Sequence, residues 1–451
     1  MRIDDRNSGF SSLVALIGLL TISTPSFAQS AQEASATPHQ HHPAATSTMA
    51  LFPTREASGT AWLPGDTPMF GVEQTWGGWG VMLHGVAFAQ YLYEPGFIHR
   101  TGGYSTHQFG SVNWGMATVR RRLGAGRVGL RAMLSLEPWT LPDCGSLNLL
   151  ATGEMCEGDT IHDRQHPHDL FMELAADYDR PLGGSLRWQV YGGLVGEPAL
   201  GPVGFPHRLS ALPNPIAPIS HHWLDSTHIT FGLVTTGVYD RRWKAEVSVF
   251  NGREPDENRA DLDLGPLDSY SGRLSFLPTD RLALQVSAGH LREAEQEFAP
   301  LPRNDVDRLT ASATYHRAFG GNGIWATTLA YGLNSGQEVI PGGAFDAMTY
   351  AVLAESSVTI RERHTWFGRA EVVEKPAHDL HAHEFAASIF RLGKVQAGYV
   401  RQFEPWKGLE PGIGGTISAS IVPAELASRY YGRVAPGFGV FLSVRPARHV
   451  M

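Results

Sequence analysis

The residue types best suited to chemistry sit in two stretches rich in histidine and carboxylate. Asp163-Arg164-Gln165-His166-Pro167-His168-Asp169 sets two imidazoles beside two carboxylates, with His162 just upstream. Ser220-His221-His222-Trp223-Leu224-Asp225-Ser226-Thr227-His228 supplies three more imidazoles around Asp225, with His207 before it. Neutral imidazole with carboxylate is a donor set for Zn²⁺ or Cu²⁺. His162, His166, His168, His221 and His222 are therefore candidate ligands of a divalent metal, the one cofactor for which the sequence gives any reason. The competing reading makes the same residues latches that cap loop ends and hydrogen-bond backbone. His39, His41 and His42 form a third cluster near the N-terminus, in the manner of short His-rich metal-capturing tails. No Gly-x-Ser-x-Gly elbow, His-Glu-x-x-His or Gly-rich phosphate loop occurs, so the chain does not read as an enzyme.

A second set of ionisable residues recurs at alternate positions of extended segments. In Arg127 to Glu137, Val128, Leu130, Ala132, Leu134 and Leu136 share one face, and Arg127, Arg131, Ser135 and Glu137 share the other. Period-two alternation is the mark of a strand with one apolar and one polar face. It recurs through Leu170–Tyr178, Leu186–Leu194, Trp243–Val249, Tyr270–Phe276, Leu282–Ala288, Leu309–Tyr315 and Trp366–Val372. The polar faces carry Arg131, Arg187, Lys244, Arg273, Arg308 and Arg369 against Glu173, Asp177, Glu246 and Glu371. Both signs of charge on the same side of many strands suit a wet lumen, where ionisable groups mark a solute path or a plug-binding wall.

The connections have a period of their own. Tight turns at Leu123–Gly126, Pro181–Ser185, Tyr239–Arg241, Pro278–Arg281, Phe319–Gly323, Arg361–Arg363 and Leu392–Gly393 alternate with longer stretches near 95–107, 138–167, 197–226, 252–267, 293–305, 334–345 and 375–382. Short turns at one rim and long loops at the other describe a membrane-spanning barrel with short periplasmic turns and long outer loops. A soluble sandwich or small barrel also alternates but holds fewer strands. The fold class is thus all-β, an antiparallel transmembrane β-barrel of about 16 strands. Fifteen segments fit through Phe403, and two candidates remain, 412–422 and 437–445. An even count takes Phe438–Val444 as the sixteenth strand and 405–436 as a long outer loop holding a local hairpin.

The termini and composition agree with export. Arg2 and Arg6, the apolar run Leu13–Ile22 and Pro25-Ser26-Phe27-Ala28 read as a signal peptide over residues 1–28. Residues 29–67, rich in Ala, Ser, Thr, Pro and Gln, read as a flexible His-containing leader, and 68–451 as the barrel. After Ala28 no apolar stretch is long enough for a membrane-spanning helix. The net charge of −8 excludes a nucleic-acid partner of the usual basic kind. Cys144 and Cys156, the only cysteines, are expected to form one disulfide in an exported loop.

Signal peptide, alternation and rim asymmetry over residues 79–445 together resemble porin-like outer-membrane barrels of Gram-negative bacteria. The resemblance implies a bacterial outer-membrane location, contact with membrane lipid and lipopolysaccharide, and insertion by the barrel assembly machinery. It also implies a channel for small polar or charged solutes, narrowed by loops 138–167 and 197–226. Such barrels commonly finish on an aromatic residue, whereas this chain runs Phe441-Leu442-Ser443-Val444-Arg445-Pro446 and on to Met451. Two other functions fit the same residues: an outer-membrane copper- or zinc-binding protein using the His clusters of loops and leader, and a plugged structural barrel.

Overall fold

The computed structural model describes residues 52–53, 55–95, 106–142, 144–295, 302–340, 343–385, 387–430 and 432–448. The signal-peptide reading, and the leader reading up to residue 51, lie outside them. The strands are β1 (Val72–Trp76), β2 (Trp79–Tyr93), β3 (His107–Leu123), β4 (Gly126–Leu134), β5 (Ser146–Cys156), β6 (Asp159–Gln165), β7 (Phe171–Gly183), β8 (Leu186–Gly196), β9 (Thr230–Tyr239) and β10 (Trp243–Phe250). They continue with β11 (Ser269–Thr279), β12 (Leu282–Glu295), β13 (Asn304–Phe319), β14 (Gly323–Ile340), β15 (Gly343–Ile360), β16 (His364–Pro376), β17 (Ile389–Gln402), β18 (Leu409–Ile421) and β19 (Val434–Pro446). Sixteen of them, β2 to β4 and β7 to β19, pair antiparallel in chain order, and β19 returns to β2 to close a barrel. Strands β5 and β6 form a separate hairpin within one long connection.

Alternation explains why the sheet closes as it does. On β10, Val247 and Val249 are exposed while Lys244, Glu246 and Ser248 are buried; on β11, Tyr270, Leu274 and Phe276 are exposed while Ser271, Arg273 and Ser275 are buried. Apolar side chains thus face outward and polar ones inward, the reverse of a soluble protein and the arrangement lipid demands. Trp243, Trp325 and Trp366 sit among the exposed aromatics of the outer wall. The outer wall meets lipid, and every barrel strand is paired with a neighbour on both sides.

The seam between first and last strands is built differently from the rest. Strand β19 pairs with β2 only from Phe438 to Val444, opposite Ala87–Tyr93. Below that, β1 takes the same edge of β2, opposite Trp79–Leu83. Gly77 and Gly78, both at positive φ, make the two-residue turn between β1 and β2, a conformation that favours glycine.

Three expectations need correction. The tight turn placed at Leu392–Gly393 does not exist: both residues lie inside β17, paired with Val373 and Val372. That false turn split one strand into two, and removing it makes both late candidates barrel strands, β18 and β19, so 405–436 is not one long loop. The stretch 334–345 is not a loop either, because β14 and β15 continue pairing out to Ile340 and Gly343. Finally, the alternation read through Leu170–Tyr178 puts Met172 on the same outward face as Leu174, Ala176 and Tyr178, and the structure turns it inward. The ladder between β4 and β7 shifts register between Met133 and Leu134, a bulge that buries Met172 beside Met133 on the inside.

Candidate functional site

The inward faces do not enclose an empty channel. Chain segments from both ends fill it, and charged wall residues hold them. From the short-turn rim, residues 55–70 enter, with Phe52 and Pro53 ahead of them: Phe52, Ala61, Trp62 and Leu63 are buried. Of the stretch read as leader, the part from residue 52 onward is therefore packed against the wall. Glu56 contacts Arg120 directly and lies 3.3 Å from Arg127. Arg131 Nη1 donates to the carbonyls of Gly59 at 2.6 Å and Ala57 at 3.3 Å, while its Nε reaches Asp177 at 3.1 Å and its Nη1 Glu173 at 3.7 Å. Lys244 donates to the Thr60 carbonyl and Arg273 Nη2 to Thr60 Oγ1 at 3.0 Å. Ser58 Oγ donates to Glu197 at 2.6 Å, and Arg55 stacks 4.1 Å from the Trp62 ring. Burial would raise the Glu56 carboxyl, but Arg120, Arg127 and Arg131 outweigh it and hold that group well below the usual carboxylate range.

From the long-loop side, the connection 197–229 between β8 and β9 crosses the lumen and docks on the opposite wall. Arg208, fully buried, pairs with Asp225 of its own loop and with Glu355 of β15 at 2.6 Å. Arg369 of β16 shares Glu355 at 3.1 Å and donates to the Ile216 carbonyl at 2.7 Å. The Ser220 hydroxyl donates to Glu371 at 2.7 Å, Trp223 Nε1 to Thr349 at 2.8 Å, and Arg308 Nη1 to Ser226 at 2.9 Å. Arg208, Ser220, Trp223 and Ser226 of the loop thus each meet a wall partner, as burial favours. The space left between this loop, residues 52–70 and the wall is a cavity of about 130 Å³ lined by Met69, Met116, His84 and His207, room for a handful of waters.

The β5–β6 hairpin covers the long-loop mouth. Its Cys144–Cys156 disulfide is formed. Lys394 Nζ donates to Glu94 at 2.7 Å and to Asn148 at 2.9 Å. Leu150 N–H donates to Asp163 at 2.7 Å, and burial raises the Asp163 carboxyl to about 6.

All ten charged residues singled out on the polar faces lie on the inner wall. They fall into separate networks rather than one ring. Arg131, Glu173 and Asp177 grip residues 57–59. Lys244, Glu246 and Arg273 form a chain with contacts of 3.3 Å and grip Thr60. Arg369 and Glu371 hold the crossing loop, Arg308 reaches its C-terminal end, and Arg187 pairs with Asp179 at 2.5 Å near the short-turn rim.

The five candidate metal ligands divide. His166, His221 and His222 approach one another, with ring centroids 6.1 Å apart for His166–His221 and His166–His222 and 5.5 Å for His221–His222. His168 packs instead against His228 at 5.4 Å and Phe205 at 5.6 Å, and His162 stacks on His381 at 3.9 Å, away from both. Several are oriented by their second ring nitrogen: His168 Nδ1 lies 2.9 Å from Glu137, His221 Nδ1 2.9 Å from Asp225 and His228 Nδ1 2.7 Å from the Asp225 carbonyl. Burial lowers His221 to about 4 and His228 to about 3, so both rings are neutral at pH 7. His222 is different. Burial would lower it, yet hydrogen bonds with Glu254 and Glu295 raise it to about 10.

The solved structures this chain is similar to are bacterial outer-membrane porins and channels. An anion-selective porin from Comamonas acidovorans is 12% identical over 82% of this chain and 99% of its own, at a TM-score of 0.46. OmpF of Salmonella typhi, in complex with daunomycin, is 9% identical over 83% and 100%, at 0.48. The outer-membrane channel DcaP of Acinetobacter baumannii is 10% identical over 84% and 100%, at 0.45. No family model matches the chain, and no curated protein matches it at the sequence level.

Sequence reasoning missed the partners that come from aperiodic segments: Glu56, Ser58, Glu197 and Arg208. It also missed Glu355, Lys394 and Arg120, whose inward positions on alternating strands could have revealed them. A further surprise is an apolar patch inside the barrel, where Val86, Phe88, Phe231, Phe367 and Phe441 gather with Leu212 of the crossing loop. The lumen is wet and charged only in part.

Proposed function

We propose that this outer-membrane barrel is a gated channel for small polar or charged solutes, seated in lipid and lipopolysaccharide and inserted by the barrel assembly machinery. The conformation described here is its closed state. The observation that carries this reading is the seating of residues 55–63 across the lumen on Arg120, Arg127, Arg131, Lys244 and Arg273. A segment held by ionised wall groups uncovers, on leaving, a wall already suited to polar solutes. The crossing loop 197–229, anchored in a ring of buried hydrogen bonds, is the fixed constriction, and the N-terminal segment is the movable part.

Planar bilayer recordings test this. Intact protein is expected to show rare conductance steps, and protein lacking residues 52–63 frequent ones. Silence from both would overturn the channel and leave a plugged structural barrel.

A further inference from the structure

Near the long-loop mouth, three acidic or imidazole groups from three separate elements converge. His222 comes from the short helix α2 (His221–Leu224) of the crossing loop, Glu254 from the connection after β10, and Glu295 from the last position of β12. Their candidate ligand atoms all lie within 4.8 Å of one another. His222 Nδ1 stands 3.2 Å from Glu254 Oε1 and 3.9 Å from Glu295 Oε1. Donors sharing one ion at about 2.1 Å are about 3.4 Å apart in a tetrahedron and about 3.0 Å in an octahedron, so His222 and Glu254 already stand at ligand spacing and Glu295 must close on them.

Two further observations point to a cation. The triad opens on a cavity of about 40 Å³ that Glu338 and Asp379 also line; among the described residues no lysine or arginine lines it, and Arg308 Nη2 stands at its edge, 4.0 Å from Glu295 Oε1. Asn304, only 5% exposed, lines the same cavity, and its Oδ1 has no hydrogen-bonding partner among the described residues. A buried carbonyl oxygen without a donor is costly unless something positive meets it. The backbone is shaped for the ring as well: a Cβ on Gly153, at φ +136°, would lie 2.1 Å from His222 Nε2. Only glycine lets that imidazole reach the carboxylates.

From this geometry we propose that His222, Glu254 and Glu295 bind one divalent first-row transition ion of the Zn²⁺ class. One imidazole with carboxylates is a borderline-to-hard donor set, suited to Zn²⁺, Mn²⁺ or Co²⁺ and unsuited to a soft monovalent ion. On binding, the ion takes the place of the imidazole proton between the ring and the two carboxylates. It thereby ties the crossing loop to the connection after β10 and to the barrel wall. This set differs from the five histidines expected from sequence, keeping only His222 of them.

The test is calorimetric titration of Zn²⁺ into the folded full-length mature chain in detergent, with His39, His41 and His42 changed to Ala to remove the leader cluster. One ion per chain is expected. His222→Ala, and Glu254→Gln with Glu295→Gln, should weaken it at least a hundredfold, and Gly153→Ala at least tenfold. Heat-modifiable migration in gels confirms that each variant is a closed barrel. Co²⁺ and Cu²⁺ on the unmutated site give a second readout: Co²⁺ should show visible d–d absorption, and the Cu²⁺ resonance should show coupling to a single imidazole nitrogen. No binding by the folded chain, unchanged affinity in the variants, or coupling to several imidazoles would each overturn the assignment. Zn²⁺ binding is read whether or not the barrel conducts, so failure here and failure of the channel are distinguishable.

Discussion

Replacing Glu56 by Ala should open the barrel more than any other single change to its polar contacts. The carboxyl binds Arg120 and Arg127 at once, with Arg131 close enough to favour its charge. Breaking a buried ion pair by removing one partner costs about 3–5 kcal/mol. The Glu56 side chain keeps 23% of its exposure, and solvent screens part of that, so about 2–3 kcal/mol is the better figure. At about 1.4 kcal/mol per tenfold, the occupancy of the displaced state should rise about 30- to 150-fold. The remaining anchors, Ser58 to Glu197, Arg131 to Gly59 and Lys244 to Thr60, stay in place, so the segment should flicker and not leave for good. Single-channel recording would show this as more frequent openings of unchanged amplitude, and protease access to residues 55–63 should rise in parallel. If open probability and protease access both match the unmutated protein, the ion pairs do not hold the segment and the gating argument fails. The acid side has a defined sign: a depressed carboxylate contributes stability above its ordinary pKa and loses it as pH falls. Openings of the unmutated protein should therefore increase below about pH 4, and Glu56→Ala should not respond.

Other consequences are as specific. Arg208→Ala leaves Asp225 and Glu355 buried without their shared cation, so the urea midpoint should fall by the equivalent of about 3–5 kcal/mol; a loss under 1 kcal/mol would mean the crossing loop is not anchored there. Asp163, raised to about 6 by burial, favours the closed hairpin most below about pH 4 and loses that contribution as pH rises through 6. The protection factor of the Leu150 amide, which removes the intrinsic pH dependence of exchange, should fall over that window in the unmutated chain and stay constant in Asp163→Asn. Changing Cys144 and Cys156 to Ser frees a loop whose closure is worth about 3 kcal/mol by chain entropy. Exchange should quicken across residues 146–165 while β10 and β11 are unaffected. In the open form, Arg120→Ala with Arg131→Ala should move the reversal potential toward cation selectivity, and an unmoved potential would take both residues out of the solute path.

Where one strand face meets lipid and the other meets charge, alternation is written in the residues, and β10 to β13 could be placed from it. Strand β2 is harder, because Val86 and Phe88 face an interior that is itself apolar there, so both faces look alike. The outer ends of β14 and β15 misled for a different reason. Asn334 is polar because it turns inward to Arg308 and the His222 carbonyl, and with Ser335 and Gly336 after it the run of small polar residues looks like a loop although the ladder continues. Gly393 looked like a turn, yet it continues a ladder. The site was half legible. The wall charges lie on periodic strands, whereas Glu56, Ser58, Arg208 and Ser220 lie in segments without period. Their pairing with strands far along the chain is settled only by closure of the barrel. Glu254 and Glu295 meet His222 for the same reason, which no local spacing announces.

The divided seam on β2 bears on how such a barrel is put together. One edge of β2 serves two tenants, β19 for its upper part and β1 for its lower part, so neither alone zips the cylinder shut. The chain just before β1 is the segment that runs up into the lumen. Closing the wall and threading the interior are therefore adjacent events at a single hinge of sequence, between residues 63 and 72. A barrel whose last strand docks before that segment has turned inward would trap it on the wrong side of the wall. The seam where that order is decided is the short β19 contact, seven residue pairs long.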